Sequence, residues 1–235
     1  MFDAIAARYD LLNAVLSAGL DRYWRKRAIQ SLQLSGREIL VDVCTGTADV
    51  AIAGARARNG AQRVVGIDFA GEMLRHGLDK VRRAGLTERV TLARGDAMRL
   101  PLRDQSADAA TIAFGIRNVQ DAPVACRELL RVLRPGGRLA ILEFGLPVVP
   151  AVRPLYLWYF RHILPRIGRV VSRHTAAYSY LPESVGAFPW GDTFGAVLRD
   201  AGFNNVQAKP LTFGIVYLYT GQVGRVGQVG RVGEI

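Results

Sequence analysis

Cysteine, lysine and long apolar runs are all scarce in this chain of 235 residues. The two cysteines, Cys44 and Cys126, form no CxxC motif and pair with no histidine, so the sequence indicates reduced thiols and no metal site. No uninterrupted apolar run reaches the roughly 18 residues of a membrane-spanning helix. The first residues, MFDAIAARYD, lack the basic and apolar regions of a signal peptide. We therefore expect a cytoplasmic protein.

The net charge is +11, although Lys26, Lys80 and Lys209 are the only lysines among 31 basic residues. A basic excess favours anionic partners, either nucleic acid or the headgroups of an acidic membrane surface, and composition does not choose between them. The basic residues are spread along the chain rather than gathered in one stripe, and the chain has no RNA-recognition motif. We therefore expect no nucleic-acid partner.

Short apolar runs alternate with amphipathic stretches from residue 38 onward, which is typical of βαβ units around a parallel sheet. Strands are predicted at 38–44, 63–68, 89–95, 108–115 and 138–145, and helices near 48–58, 71–84, 121–133 and 190–201. Residues 204–220 predict two further strands, with Pro210 in the turn that joins them. The expected fold class is α/β, a doubly wound, Rossmann-like, mostly parallel sheet with a C-terminal antiparallel hairpin, as in class I methyltransferases.

The length and the hydrophobic content, 50% of the residues, predict one domain over residues 1–221. Within it, residues 1–36 are expected to form a helical cap. Residues 146–182 interrupt the alternation with prolines and arginines but no acidic residue, and they predict an inserted helical lid. Residues 222–235 contain the glycine-rich tandem repeat QVGRVGQVGRVG, which predicts a flexible tail.

The segment after the first predicted strand, from Asp42 to Asp49, reads DVCTGTAD and predicts a tight turn that opens a helix. Gly46 lets a ligand approach the backbone there and meet its N–H groups. Methyltransferases often have glycine at three alternate positions of this turn, and here Cys44 and Ala48 occupy the first and third. The motif alone therefore also fits an ordinary strand–turn–helix.

Aspartates at the next two predicted strand ends strengthen the cofactor prediction. Asp68 can accept hydrogen bonds from both hydroxyls of a ribose, although an aspartate before a helix also fits an N-cap. Asp96 and Ala97 follow the third strand, where methyltransferases contact the adenine amino group. Together with Asp42 and Gly46 in the turn, these positions predict S-adenosylmethionine as the cofactor.

A dinucleotide-dependent dehydrogenase would use the same glycine turn and aspartate, and two features speak against it. The pyrophosphate of its cofactor needs closely packed glycines that this loop lacks. In addition, residues 134–138 read RPGGR, the turn that commonly precedes the fifth strand of methyltransferases. We expect both of its glycines to supply positive φ.

Three stretches carry a more specific pattern: YDLLNAVLSAGLDRYWRKRA at 9–28, IAFGIRNVQD at 112–121 and RVLRPGGRLAILEFG at 131–145. They resemble the ubiquinone/menaquinone biosynthesis C-methyltransferases, and the resemblance extends from Phe2 to about Thr220. The turn CTGTAD is more similar to the demethylmenaquinone methyltransferases than to the ubiquinone branch. Two positions depart from the family pattern: Asp21 replaces a histidine, and Gly145 replaces a serine.

The resemblance implies Thr47, Asp68, Asp96 and Ala97 as cofactor contacts. It also implies S-adenosylmethionine-dependent C-methylation of a prenylated quinol ring, with demethylmenaquinol converted to menaquinol. A benzoquinol precursor of ubiquinone and a soluble small aromatic molecule are the alternative acceptors. The sequence leaves the prenyl length and the oligomeric state open, with a homodimer as one alternative.

A quinol carbon becomes nucleophilic when a neighbouring hydroxyl loses its proton, so the site needs a base or a cation that stabilises the phenolate. Arg117, in the GIRN segment after the fourth strand, is the candidate cation, and a salt bridge that holds the loop is its alternative role. Tyr9 and Asp10 are candidates for orienting the ring or receiving the proton. They fit a core aromatic and a helix cap equally well.

Residues 152–174 mix aromatic side chains with arginines, a composition that suits a membrane interface. A lid with a solvated basic face is the alternative. A long prenyl tail leaves a bilayer only at a large free-energy cost, so an enzyme that acts on it should come to the membrane surface. We expect peripheral association with the inner face of the membrane.

Overall fold

The computed structural model describes residues 17, 19–159 and 184–225. Residues 1–16 and 18 of the expected N-terminal cap, residues 160–182 of the expected lid and residues 226–235 of the expected tail lie outside these residues. The division into cap, lid and tail therefore stays a prediction.

The described residues contain one seven-stranded sheet with the order β3-β2-β1-β4-β5-β7-β6. Its strands are β1 (Ile39–Val43), β2 (Arg63–Asp68), β3 (Val90–Arg94), β4 (Ala107–Ala113), β5 (Leu133–Phe144), β6 (Asn204–Leu211) and β7 (Val216–Gln222). The first five strands pair in parallel, whereas β7 is antiparallel to both β5 and β6. The fold class predicted from the sequence is confirmed.

Helices cover both faces of the sheet because each strand of a parallel sheet is linked to the next by a crossover. They are α1 (Leu20–Ser31), α2 (Asp49–Arg56), α3 (Gly71–Arg83), α4 (Ala122–Val132), α5 (Val152–Trp158) and α6 (Asp192–Asp200). One buried cluster joins α1 and α2 to one face, and a second joins α4 and α6 to the other. Within the described ranges, no helix combines the length and the apolarity needed to cross a membrane.

The C-terminal hairpin corrects one prediction. Pro210 lies within β6, where it is paired with Tyr217, and the turn is a short 3-10 segment at Thr212–Gly214. Proline is tolerated there because β6 is an edge strand, so the missing N–H breaks no inner ladder. The prediction of Pro210 in the turn was therefore wrong, because Pro210 lies in the strand that precedes the turn.

The RPGGR segment corrects a second prediction. It lies inside β5 as an irregularity, because the pairing with β4 jumps from Ala107–Leu133 to Ala109–Arg138. Of the two glycines, only Gly136 has a positive φ, 82°. Gly137 is required for another reason, since a Cβ atom there would lie 2.8 Å from the Arg134 carbonyl oxygen.

The strand order reverses at β1, which is hydrogen-bonded to β2 on one side and to β4 on the other. The carboxyl ends of β1, β2, β3, β4 and β5 all lie at one edge, since these strands are parallel. In doubly wound folds ligands bind in the crevice outside these ends, at the point where the strand order reverses. We refer to this as the carboxyl edge.

Candidate active site

The turn between β1 and α2 has three residues with left-handed backbone. Cys44, Gly46 and Ala48 have φ values of 55°, 55° and 66°. These are the three alternate positions at which methyltransferases often have glycine, so the glycine-like conformation is kept although two of the glycines are not. Left-handed φ costs a residue with a Cβ atom about 1 kcal/mol or more, which the surrounding packing must offset.

A glycine on a neighbouring element makes room for the Cys44 side chain in this turn. A Cβ atom at Gly115 would lie 2.3 Å from the Cβ of Cys44. Burial raises the pKa of the Cys44 thiol well above its usual range, so this group stays protonated. Cys44 in the turn and Gly115 beside it are therefore complementary.

The carboxylate of Asp68, at the end of β2, holds this turn. One oxygen accepts a 2.8 Å hydrogen bond from the Gly46 amide, and the other accepts a 2.8 Å bond from the Ala70 amide. The residue before the first turn of α3 is Ala70, so Asp68 is not the N-cap of that helix.

Asp42 is buried just below the turn. It accepts hydrogen bonds from the hydroxyls of Thr45, at 2.6 Å, and Thr111, at 2.7 Å. Burial raises its pKa to about 6, against the effect of these two bonds. Asp42 therefore braces the base of the turn through side chains of β4 and the turn itself.

A cavity at the carboxyl edge is lined by this turn and by residues of α1, α2 and the end of β4, among them Arg25, Asp42, Gly46, Thr47, Asp49 and Phe114. A Cβ atom at Gly46 would meet no atom within 4 Å, so its backbone faces open space. The lining combines carboxylates and hydroxyls with the apolar side chains of Val50, Ala113 and Phe114. This chemistry fits S-adenosylmethionine, which offers ribose hydroxyls and cationic groups and has no phosphate.

Thr47 is buried and belongs to a charged network that sequence reasoning did not find. The ammonium group of Lys80 donates to the Thr47 hydroxyl at 3.1 Å and is ion-paired with Asp49. Arg25 bridges Asp49, at 2.9 Å, and Asp21, at 3.1 Å. Asp21, which replaces the histidine of the family pattern, thus pairs with Arg25 within α1, and Arg25 links α1 to the start of α2.

The end of β3 carries the second predicted aspartate. The Asp96 carboxylate accepts a 2.9 Å hydrogen bond from the Met98 amide, and Ala97 is buried. The Gly95 amide donates to the Asp68 carbonyl oxygen, so the ends of β2 and β3 are joined. Phe69 lies beside them with 70% of its surface exposed, a feature that the sequence did not single out.

The segment after β4 brings Arg117 against a carboxylate on β5. The Arg117 Nη1 donates to Glu143 Oε1 at 2.6 Å and to the Phe114 carbonyl oxygen at 2.8 Å. The side chain of Glu143 is fully buried, and that of Arg117 is 8% exposed. The salt-bridge role considered for Arg117 is therefore present, with a partner that the sequence analysis missed.

Glu143 could have been found from the sequence as the one charged residue within the apolar run LAILEF of β5. A carboxylate in a buried strand is rare unless it is paired. The sequence does not reveal which cation pairs with it, because that depends on the register between β4 and β5.

Aromatic rings pack over the end of β5. Phe114 and Phe144 lie 4.6 Å apart between ring centroids, and Trp24 of α1 packs against both. The indole Nε1 of Trp24 donates a 2.8 Å hydrogen bond to the Thr212 hydroxyl in the hairpin turn. These contacts fix α1 and the hairpin at the carboxyl edge.

Gly145, the second departure from the family pattern, also has a packing reason. A Cβ atom at this position would lie 2.7 Å from the ring of Tyr217. A serine there would require the ring to move.

Tyr9 and Asp10 lie outside the described residues, so their roles stay predictions. The other predicted site residues, Arg117, Asp42, Gly46, Thr47, Asp68, Asp96 and Ala97, all lie at the ends of parallel strands or in the segments that follow them. In the described part of the chain, no group of three or more histidine, cysteine or acidic residues is arranged to hold a metal ion.

The sequence comparisons reach nearly the whole chain. A family model described as the ubiE/COQ5 methyltransferase family matches residues 1–223. A protein of Syntrophotalea carbinolica named ubiquinone/menaquinone biosynthesis C-methyltransferase UbiE is 48% identical over 94% of this chain and 92% of its own length. A demethylmenaquinone methyltransferase of Bacteroides fragilis is 41% identical over 94% of this chain and 89% of its own length.

Solved structures share the fold at low sequence identity. A SAM-dependent methyltransferase from Aquifex aeolicus has a TM-score of 0.63 at 19% identity, over 87% of this chain and 92% of that chain. The [4+2]-cyclase SpnF has a TM-score of 0.67 at 19% identity, over 88% of this chain and 82% of that chain. Because one of these neighbours is named a cyclase, the structural likeness indicates the fold alone.

Proposed function

Because the chain belongs to the ubiE/COQ5 methyltransferase family, we propose that its acceptor is a prenylated naphthoquinol, demethylmenaquinol, which it methylates to menaquinol. It is an S-adenosylmethionine-dependent methyltransferase that performs C-methylation in quinone biosynthesis. The family match over residues 1–223 is the observation that carries the proposal. The resemblance of CTGTAD to the menaquinone branch favours the naphthoquinol ring over a benzoquinol.

We propose that the cofactor binds over the turn between β1 and α2. Asp68, whose carboxylate holds the Gly46 and Ala70 amides at the end of β2, is proposed to accept hydrogen bonds from the ribose hydroxyls. Gly46 lets the ligand approach the backbone, and Thr47 is proposed to contact it from the wall of the same cavity. Asp42, with both oxygens already hydrogen-bonded, acts from below as a brace for this turn.

Asp96 and Ala97 are proposed to contact the adenine amino group from the end of β3. The carboxylate of Asp96 keeps acceptor capacity besides its bond to the Met98 amide. The exposed ring of Phe69 lies on the same edge and offers a flat apolar surface to the base.

When bound, S-adenosylmethionine supplies an electrophilic methyl group whose departing bond pair stays on its sulfur. The chain must keep the acceptor carbon in line with that group and help the neighbouring hydroxyl to ionise. Arg117 is proposed to stabilise the resulting oxyanion. Its Nε is buried and has no hydrogen-bond partner among the described residues, so this part of the guanidinium is left for a ligand. The ring proton leaves to a base after the carbon–carbon bond forms, and Tyr9 and Asp10 remain the proposed candidates.

The acceptor is tested with three substrates and isotopically labelled S-adenosylmethionine. A demethylmenaquinol analogue is expected to gain label on its ring carbon at least about tenfold faster, in kcat/KM, than a benzoquinol that lacks the ring methyl group. A soluble phenol should gain none. Mass spectrometry of the products locates the label. Labelling of the phenol alone would contradict the quinol proposal, and equal rates on both quinols would contradict the ring assignment.

We also propose that the protein associates peripherally with an anionic membrane surface through the carboxyl edge. Phe213, in the hairpin turn, is 62% exposed, and its carbonyl oxygen accepts a hydrogen bond from the amide of Val148, which is 52% exposed. Trp158 on α5 is also exposed. Exposed apolar side chains on a chain with a net charge of +11 suit the headgroup region of an acidic bilayer.

The membrane proposal predicts that Phe213→Asn weakens binding to anionic vesicles by about tenfold, because it removes most of the burial free energy of one aromatic ring. Asparagine is chosen because Phe213 has a φ of 60°, which asparagine tolerates. Vesicle flotation measures the bound fraction. Leu78→Asn on α3 is the matched control, since Leu78 is also exposed. An equal loss in both variants, or no flotation of the wild type, would refute the proposal.

A further inference from the structure

Glu143 is a buried charge that the proposed chemistry does not use directly. Its carboxylate is 0% exposed, at the end of the strand next to β4. It accepts from Arg117 Nη1 at 2.6 Å and from its own neighbour, the Phe144 amide, at 2.8 Å, and the Arg117 amide lies 3.3 Å from its second oxygen. One carboxylate thus holds both the side chain and the backbone of Arg117.

The guanidinium of Arg117 is fixed on one side only. Nη1 makes both of its hydrogen bonds, to Glu143 and to the Phe114 carbonyl oxygen. The Cζ atom lies 5.3 Å from the centre of the Phe144 ring. Nε, on the opposite side, is buried and has no partner in the described part of the chain. The Nε–Nη2 edge, which can bind an oxyanion through two donors, is therefore left for a ligand.

Stability alone gives a weak account of this pair. Removing two charges from water is costly, and buried ion pairs can often be replaced by apolar side chains of similar volume without loss of stability. The Arg117–Glu143 pair also adjoins the cofactor cavity, because Phe114, whose carbonyl oxygen it binds, lines that cavity. The position of this ion pair beside the cofactor cavity points to a role in the reaction.

We propose that Glu143 is a positioning residue, which holds Arg117 by Nη1 so that the Nε–Nη2 edge faces the oxyanion of the acceptor. This inference rests on the proposed methylation of a quinol. Glu143 has a second, electrostatic effect, because its negative charge offsets part of the Arg117 charge. Tyr156 of α5 also faces Arg117, but burial raises the pKa of its phenol, so this group stays neutral. It therefore keeps the acceptor hydroxyl from ionising at too low a pH, where a less basic oxyanion would activate the ring carbon less.

The test is a double-mutant cycle with Arg117→Met and Glu143→Gln in the full chain. Arg117→Met is expected to lower kcat on the naphthoquinol by about 100-fold. Glu143→Gln should lower it by about tenfold, because the amide holds Nη1 less well. In the Arg117→Met background, Glu143→Gln should cause no further loss, since it acts through the missing guanidinium. Binding of S-adenosylmethionine, measured by calorimetry, should change by less than about twofold in all three variants.

The pH profile adds a readout that a purely structural role would not move. Removing the negative charge of Glu143 lowers the pKa of the bound acceptor hydroxyl, so the acidic limb of the kcat profile should shift down by about one pH unit in Glu143→Gln. Glu143→Asp keeps the negative charge but moves the carboxylate away from Arg117, because the side chain is shorter. We therefore expect kcat to fall while the acidic limb of the kcat profile stays at the same pH. If Glu143→Gln does not fold, Glu143→Asp with the same cycle decides the positioning role.

Glu128→Gln is the matched control, because Glu128 also joins a backbone amide, that of Leu100, to an arginine, Arg131, away from the carboxyl edge. It should reduce thermal stability and leave kcat and the pH limb unchanged. The proposal is overturned if the effects of Glu143→Gln and Arg117→Met multiply, or if Glu143→Gln behaves like Glu128→Gln. If the wild type does not methylate the quinol, the proposed function fails first, before Glu143 is tested.

Discussion

Replacing Asp68 by alanine is expected to weaken S-adenosylmethionine binding by at least about 100-fold. The carboxylate is proposed to accept hydrogen bonds from two ribose hydroxyls, and each bond to a charged group contributes about 1.5–3 kcal/mol. The substitution also removes the acceptor of the Gly46 and Ala70 amides. The turn that holds the cofactor therefore loses its anchor at the same time. Calorimetric titration with the cofactor measures the effect.

Asp108→Ala separates loss of binding from loss of stability. Asp108 also joins neighbouring strands, because it accepts from the Ile39 amide at 2.9 Å and pairs with Arg134, but it lies at the opposite edge of the sheet. Both variants should lose about 1–3 kcal/mol of unfolding free energy. Only Asp68→Ala should lose cofactor affinity. Wild-type affinity in Asp68→Ala would remove Asp68 from the proposed cofactor contacts.

Gly115→Ala should destabilise the protein and Cys44→Gly should rescue it. The backbone of Gly115 has φ of −118°, which alanine adopts without strain, so the penalty comes from the 2.3 Å contact with the Cβ of Cys44. Overpacking of this kind costs about 1–3 kcal/mol. For a chain of this size that lowers the melting temperature by roughly 2–12 °C. The displaced turn should also bind S-adenosylmethionine several-fold more weakly.

In the double variant both close contacts of the new methyl group with Cys44 disappear, and Ile112 remains at an ordinary 3.6 Å. Glycine at position 44 also relieves the left-handed backbone there. Cys44→Gly by itself should change stability by less than about 1 kcal/mol, since this relief offsets the lost packing. Differential scanning calorimetry of the three variants decides the matter. A double variant as unstable as Gly115→Ala would show that Cys44 is not the cause.

The sequence predicted the strand ends well because they depend on local patterns. The alternation of apolar runs with amphipathic stretches located the first five strands. Parallel pairing alone then brings the carboxyl ends of these strands to one edge of the sheet, whatever their order. Asp68 and Asp96 could therefore be assigned to that edge before any contact was known. The same local reasoning placed Pro210 in a turn, because the sequence does not reveal that β6 is an edge strand that tolerates proline.

The features that were missed depend on contacts between distant segments. Glu143 meets Arg117 only through the pairing of β4 with β5, and the Arg25–Asp49 contact depends on how α1 packs on α2. Likewise, Cys44 departs from the glycine motif of the turn. The glycine that makes room for it, Gly115, follows β4, and only the packed structure shows that the two residues are in contact.

The position of β7 between β5 and β6 has a consequence for how the chain acquires this fold. During synthesis β5 leaves the ribosome before β7, so one edge of β5 has no partner until about seventy further residues have emerged. An open strand edge invites pairing with other chains. The nascent protein therefore passes through a stage at which it is prone to aggregate, and insertion of β7 ends that stage. Chaperone binding should be strongest on ribosomes stalled between these two strands.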